Sequence, residues 1–121
     1  TAAAAAAVPT LSASTYVPGS LPSTGWRPQI TAADMAVTLY WIVQADATAT
    51  PTGAQIVAGQ DGTGATALAS GSEAYTAAGD YREASPITGL SAGTAYEQAW
   101  VAYDGSTYSS VVTATITRIL F

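Results

Sequence analysis

Residues 35–45 read MAVTLYWIVQA, and this run limits what the chain can fold into more than any other stretch. Strand periodicity puts Val37, Leu39, Trp41 and Val43 on one face and Thr38, Tyr40, Ile42 and Gln44 on the other. Large apolar side chains stand on both faces. A half-solvated strand would show one apolar face only, so the run predicts a strand that is central or covered on both sides.

The remaining chain reads as short strands between turn signals. "TLSASTY" (10–16) is a first strand and "VPGSLPSTG" (17–25) a loop. "WRPQIT" (26–31) is an edge-type strand, because Pro28 has no amide hydrogen for a ladder. "ATATPTG" (47–53) breaks the alternation. Spacing leaves "AQIVAGQ" (54–60) open between a helical turn and a strand. "DGTG" (61–64) is a turn. Strands follow at 65–76 and 81–90 around the turn "AAGD", then at 94–105, where Tyr96, Gln98, Trp100 and Ala102 share a face. A β-branched strand over 106–121 ends the chain. About seven short strands, no long helix and a composition rich in Ser, Thr, Gly, Ala and Val point to an antiparallel all-β sandwich.

Charge narrows the function. The 121 residues hold three arginines (Arg27, Arg82, Arg118), eight carboxylates and no lysine, for a net charge of −5. Three scattered arginines make no phosphate-binding patch, which argues against nucleic acid. No window approaches ~20 strongly apolar residues, so no membrane-spanning helix is expected. Histidine, cysteine and lysine are all absent. The commonest general bases, thiolate nucleophiles, Schiff-base amines and thiolate metal sites go with them. Asp80 and Glu83 flank Arg82, but strand periodicity points them to opposite faces. They read as a solvated charge cluster rather than a catalytic pair. Asp61 in "QDGTG" and Asp104 in "DGS" each bring one carboxylate where calcium needs several. Both read as turn formers, with positive φ expected at the glycine after each. "GQDGTG" lacks the lysine and helix of a phosphate loop. No catalytic residue, cofactor or metal site is expected.

The stretch "ITGLSAGTAYEQAWVAYDGSTYSS" (87–110) resembles the E–F–G region of a fibronectin type III domain. The likeness rests on Leu90, Gly93, Thr94, Tyr96, Trp100, Ala102 and the Ser109-Ser110 pair. It implies that Leu90 closes one strand and that Tyr96 opens the next, its hydroxyl bonding back to the backbone as a tyrosine corner. "VTLYWIVQ", "PTGAQIVAGQDGTGATALASGS" and "GLSAGTAYEQAWVAYD", in this order, are similar to fibronectin-III-like modules of tailed-bacteriophage and prophage structural genes. This likeness covers residues 35–116. Gln98 departs from it, standing where the family has a small or apolar inward residue; if buried, it needs a hydrogen-bond partner. The resemblance implies an immunoglobulin-like sandwich over residues 9–121, preceded by an extended N-terminal arm over 1–8. Fold alone does not give function, so the likeness indicates a virion setting rather than an activity.

The arm reads TAAAAAAV. It lacks the basic residue and strongly apolar core of an export signal. As an isolated helix it falls short of ~12–15 residues. Its leading threonine suits a cytoplasmic product trimmed of its initiator methionine. Alanine has almost no side-chain entropy to lose in a tight groove. At the other end, Ile119, Leu120 and Phe121 are apolar, and exposing such area costs ~25 cal/mol per Å². Ala2, Ala3, Ala4, Ala5, Ala6, Ala7 and Val8, with Ile119, Leu120 and Phe121, are therefore the expected partner-binding residues. Trp41 and Trp100 are expected in the core. Tyr75, Tyr81, Tyr103 and Tyr108 are candidate surface aromatic contacts, since tyrosine offers rigid amphipathic area.

Together these readings predict a non-enzymatic virion protein, made in the host cytoplasm and placed on the capsid surface. It would be a capsid decoration (cement) protein whose partners are the major capsid protein and neighbouring copies of itself. Two alternatives stand beside it. One is a carbohydrate- or receptor-binding module of a head fibre or tail, its tyrosines meeting host-surface glycans. The other is a tail-tube or baseplate accessory domain.

Overall fold

A computed structural model describes residues 9–11, 29–33, 35–74, 79–82 and 94–117. These form a mostly antiparallel β protein with one short helix. In chain order the elements are β1 (Gln29–Ala33), β2 (Thr38–Ala45), α1 (Gly53–Val57), β3 (Ala69–Ala74), β4 (Gly79–Arg82), β5 (Ala95–Tyr103) and β6 (Val112–Thr117). β1 pairs with β4 in a two-stranded sheet. The larger sheet has the order β3-β2-β5-β6, every pair antiparallel.

β2 is central, as its two apolar faces predict. It is hydrogen-bonded along its length to β3 on one side and β5 on the other. On the first face Leu39, Trp41 and Val43 pack with Tyr96 and Trp100. Trp41 and Trp100 are cross-strand partners with ring centroids 6.3 Å apart and planes tilted by 51°. On the second face Ile42 packs with Ala99, Val101 and Ile56. Both expected core tryptophans are buried.

The open question at 54–60 resolves as a short helix, Gly53–Val57, followed by a turn that brings Gln60 into a bridge with Thr66. Thr52 caps α1: its hydroxyl accepts from the Gln55 amide, and the Gln55 side chain accepts from the Thr52 amide. This reciprocal box satisfies two donors that a helix start leaves orphaned. Without it a five-residue helix would be marginal. Ile56, fully buried, anchors α1 over the second face of β2 and β5.

Several strand limits differ from the sequence reading. The strand expected over 65–76 begins at Ala69, because Gln60 and Thr66 bridge across a small loop centred on Asp61. The strand expected over 106–121 starts at Val112, because Asp104 and Tyr108 hold residues 104–108 in a turn. Gly79 and Asp80, read as part of a turn, lie in β4. Positive φ in the Asp61 loop falls on Gly64 rather than on Gly62, the glycine after the aspartate. Gly62 is needed for another reason: a β carbon there would collide with the Ala49 carbonyl. Gln98 is buried at 1 % exposure, yet its Nε2 has no hydrogen-bond partner, contrary to the expected pairing. Most of the first expected strand (10–16), the loop 17–25, Leu90 and Glu83 lie outside the described residues.

Candidate functional site

Among the described residues, the second face of the larger sheet is only partly covered. α1 shields Ile42, Ala99 and Val101; beyond it Tyr40 and Tyr103 stay half-buried. The sheet register explains why. Tyr40 lies between Ser72 on β3 and Val101 on β5, and Thr38 lies between Ala74 and Tyr103. A large ring flanked by small side chains stands above its neighbours.

Two hollows meet at Tyr40. One, of about 350 Å³, runs from Tyr40 past Thr38 and Ala74 to Tyr103, Asp104 and Gly105. The other, of about 230 Å³, runs from Tyr40 past Ser70 and Ser72 to the end of α1.

Tyr103 stands at one end of the first hollow, and Tyr108 stacks on it. They bridge across the β5–β6 turn, with their rings stacked 4.3 Å apart and 15° from parallel. The Tyr103 hydroxyl donates to the Gly105 carbonyl at 2.9 Å. Desolvation, followed by the adjacent Tyr108, pushes the Tyr103 phenol above its usual range. Tyr108 also lies against α1: a β carbon at Gly53 would come within 2.8 Å of its ring. The turn itself hangs on Asp104. Its Oδ1 accepts from the Thr107 amide at 2.7 Å and the Ser106 amide at 2.8 Å, and its Oδ2 accepts from the Thr107 hydroxyl at 2.8 Å. These donors, the Thr107 amide foremost, hold the carboxyl below the usual range. Gly105 takes φ 99°, as the Asp-Gly step predicts. Beneath, the Ser109 hydroxyl accepts from the buried Ala102 amide at 2.9 Å.

A second network locks the other end of β2. The Gln44 amide nitrogen donates to Glu97 Oε1 at 2.7 Å and to the Ala49 carbonyl at 3.2 Å, while its oxygen accepts from the Gly62 amide at 3.0 Å. One buried side chain thus ties two loops to β5. Asp61 organises the second of those loops: its Oδ1 accepts from the Thr63 hydroxyl and amide and from the Ala65 amide. The Thr63 hydroxyl is the main reason its carboxyl sits below the usual range. Among the described residues no group of three or more His, Cys, Asp or Glu could hold a metal ion. Among them, too, no helix is long and apolar enough to cross a membrane.

Of the four candidate surface tyrosines, the structure brings Tyr103 and Tyr108 into one stack. Tyr75 lies outside the described residues, and so does the side chain of Tyr81. Ala2 through Val8 and Ile119 through Phe121 also lie outside them. Tyr40 is the residue that sequence reasoning missed. Alternation assigned it to the second face of β2, but its exposure depends on the small residues of β3 opposite and on where α1 stops.

The described residues define an antiparallel all-β protein with a partly open aromatic face. The chain matches no protein-family model, no curated protein and no solved structure.

Proposed function

We propose that this chain is a non-enzymatic structural protein of a tailed-phage virion: a capsid decoration protein built on a fibronectin-III-like sandwich of about seven strands. The strand order supports the sandwich part of this reading; the virion role rests on the resemblance of residues 35–116 to phage modules. β1 pairs with β4, while β2, β3, β5 and β6 share the other sheet, so the chain changes sheet three times: after β1, after β3 and after β4. Repeated crossing of this kind links the two layers of a Greek-key sandwich, which supports the domain reading of 9–121. The segments similar to phage modules coincide with the larger sheet and its loops. "LYWIVQ" lies in β2, "GAQIV" is α1, "QDGTG" is the Asp61 loop and "AYEQAWVAY" is β5.

On this reading the sandwich is an outward knob. Residues 1–8 and 119–121 are the contacts to the major capsid protein and neighbouring copies. The loops are already held by Gln44, Asp61 and Asp104, so docking orders little of the knob and loses little entropy. Many copies on one shell multiply a weak contact.

The test uses heads of the phage whose genome encodes the chain, stripped of this protein. The full chain is expected to co-sediment saturably with them. A chain lacking residues 1–8 is expected to keep its circular dichroism and melting temperature yet stay in the supernatant. Equal binding by the shortened chain, or no binding by the full one, removes the proposal.

A further inference from the structure

We propose that the groove across Tyr40 binds a neutral saccharide chain, with the Tyr40 ring as the platform on which a sugar stacks. This goes beyond the virion role and does not depend on how the chain docks.

Geometry comes first. Two hollows of about 350 and 230 Å³ meet at one ring, so a linear ligand can lie across Tyr40 and reach into both. Tyr103, with Asp104 and Gly105, bounds one end, and the end of α1 bounds the other. A single compact ligand would need one deep pocket instead.

Chemistry selects the class. A sugar ring has an apolar C–H face and a rim of hydroxyls. The groove answers with an aromatic face and the hydroxyl-bearing side chains of Thr38, Ser70 and Ser72. A protein partner would want deep, fully desolvated anchor pockets, and small polar residues do not make them.

Charge sets the rest. The chain has no lysine, and the side chains of its three arginines lie outside the described residues. Among the described residues lining the hollows Asp104 is the charged one, and its two oxygens already accept from its own turn. With a net charge of −5 on the chain, an anionic glycan would be repelled and a neutral one would not. The Tyr103 hydroxyl is held by the Gly105 carbonyl, which lowers the ordering cost at that end of the groove.

The experiment is a titration of the ¹⁵N-labelled full chain with maltotriose, cellotriose, chitotriose and mannotriose, with trigalacturonate as the anionic counterpart. At least one neutral trisaccharide is expected to give saturable shifts at the amides of Tyr40, Ser72, Ala74, Tyr103 and Gly105, and trigalacturonate none. Tyr40→Ala should weaken binding tenfold or more, while Tyr40→Phe should retain it. Ala74→Arg, at an exposed rim position, should abolish the shifts with no change in melting temperature, so the test does not hang on the folding of the Tyr40 variant. Absence of saturable shifts with all four neutral sugars overturns the proposal, as does undiminished binding by Ala74→Arg. Release of the Ala74→Arg chain from phage heads without any saccharide shift would make the face a protein contact and also overturn it. The head-binding assay on the chain lacking residues 1–8 reads the virion role separately.

Discussion

Gly71 on β3 and Trp41 on β2 are cross-strand partners, and the indole occupies the space a side chain at 71 would need. A β carbon there would come within 2.5 Å of Trp41 Cζ2 and 2.6 Å of Cε2. The glycine weakens β3 as a strand but lets Trp41 lie flat across it and meet Trp100. Gly71→Ala should therefore force the indole out of its position and destabilise the fold by about 1–3 kcal/mol. Urea denaturation followed by tryptophan fluorescence checks this. A midpoint equal to that of the parent chain would show that the tryptophan pair does not need the missing side chain.

Gln44 is a buried side chain that joins two loops to the sheet. Gln44→Leu keeps the volume and removes the hydrogen bonds, leaving the Gly62 amide without its acceptor and Glu97 without its donor. The expected loss is about 1–3 kcal/mol. Hydrogen exchange gives a sharper reading: the Gly62 amide should lose protection, while amides in the middle of β2 change only with the global stability.

Gln98 is the converse case. It is equally buried, shares the inward face with Trp100 and has an Nε2 without a partner. A buried polar atom left unpaired costs free energy, so exchange for an apolar residue of similar size should be neutral or favourable. Gln98→Leu is expected to hold or raise the denaturation midpoint. A drop of more than about 1 kcal/mol would mean that the amide is satisfied in solution, with a buried water the first candidate.

Asp61 and Asp104 both have carboxyls held below the ordinary value of 3.8 by donors in their own turns. A group with a depressed folded pKa stabilises the fold above its unfolded pKa, and that contribution is lost as pH falls through the folded value. Stability should therefore be flat from neutral pH down to about 4 and decline below it. Asp61→Asn and Asp104→Asn remove the titrating groups, so the double variant should show a shallower acid decline than the parent. Denaturation midpoints across that range, at constant ionic strength, provide the comparison.

The sequence by itself determined the all-β class and the central strand. The alternation at 37–44 carries apolar groups on both faces, and only a doubly covered strand can bury them both. It also determined the Asp104 turn, because the Asp-Gly step specifies its own local geometry. Tertiary structure decided the rest. The helix at 53–57 was ambiguous in a short apolar run; Ile56 settled it by finding a place over Ile42 and Ala99, a contact between residues far apart in the chain. Tyr40 looked like any second-face residue. It stays half-buried at the edge of the Ile42–Ile56 cluster because small residues, Ser72 and Ala74, arrive beside it from β3. Local periodicity gives a side chain its face, but its exposure depends on which residues the sheet register sets beside it.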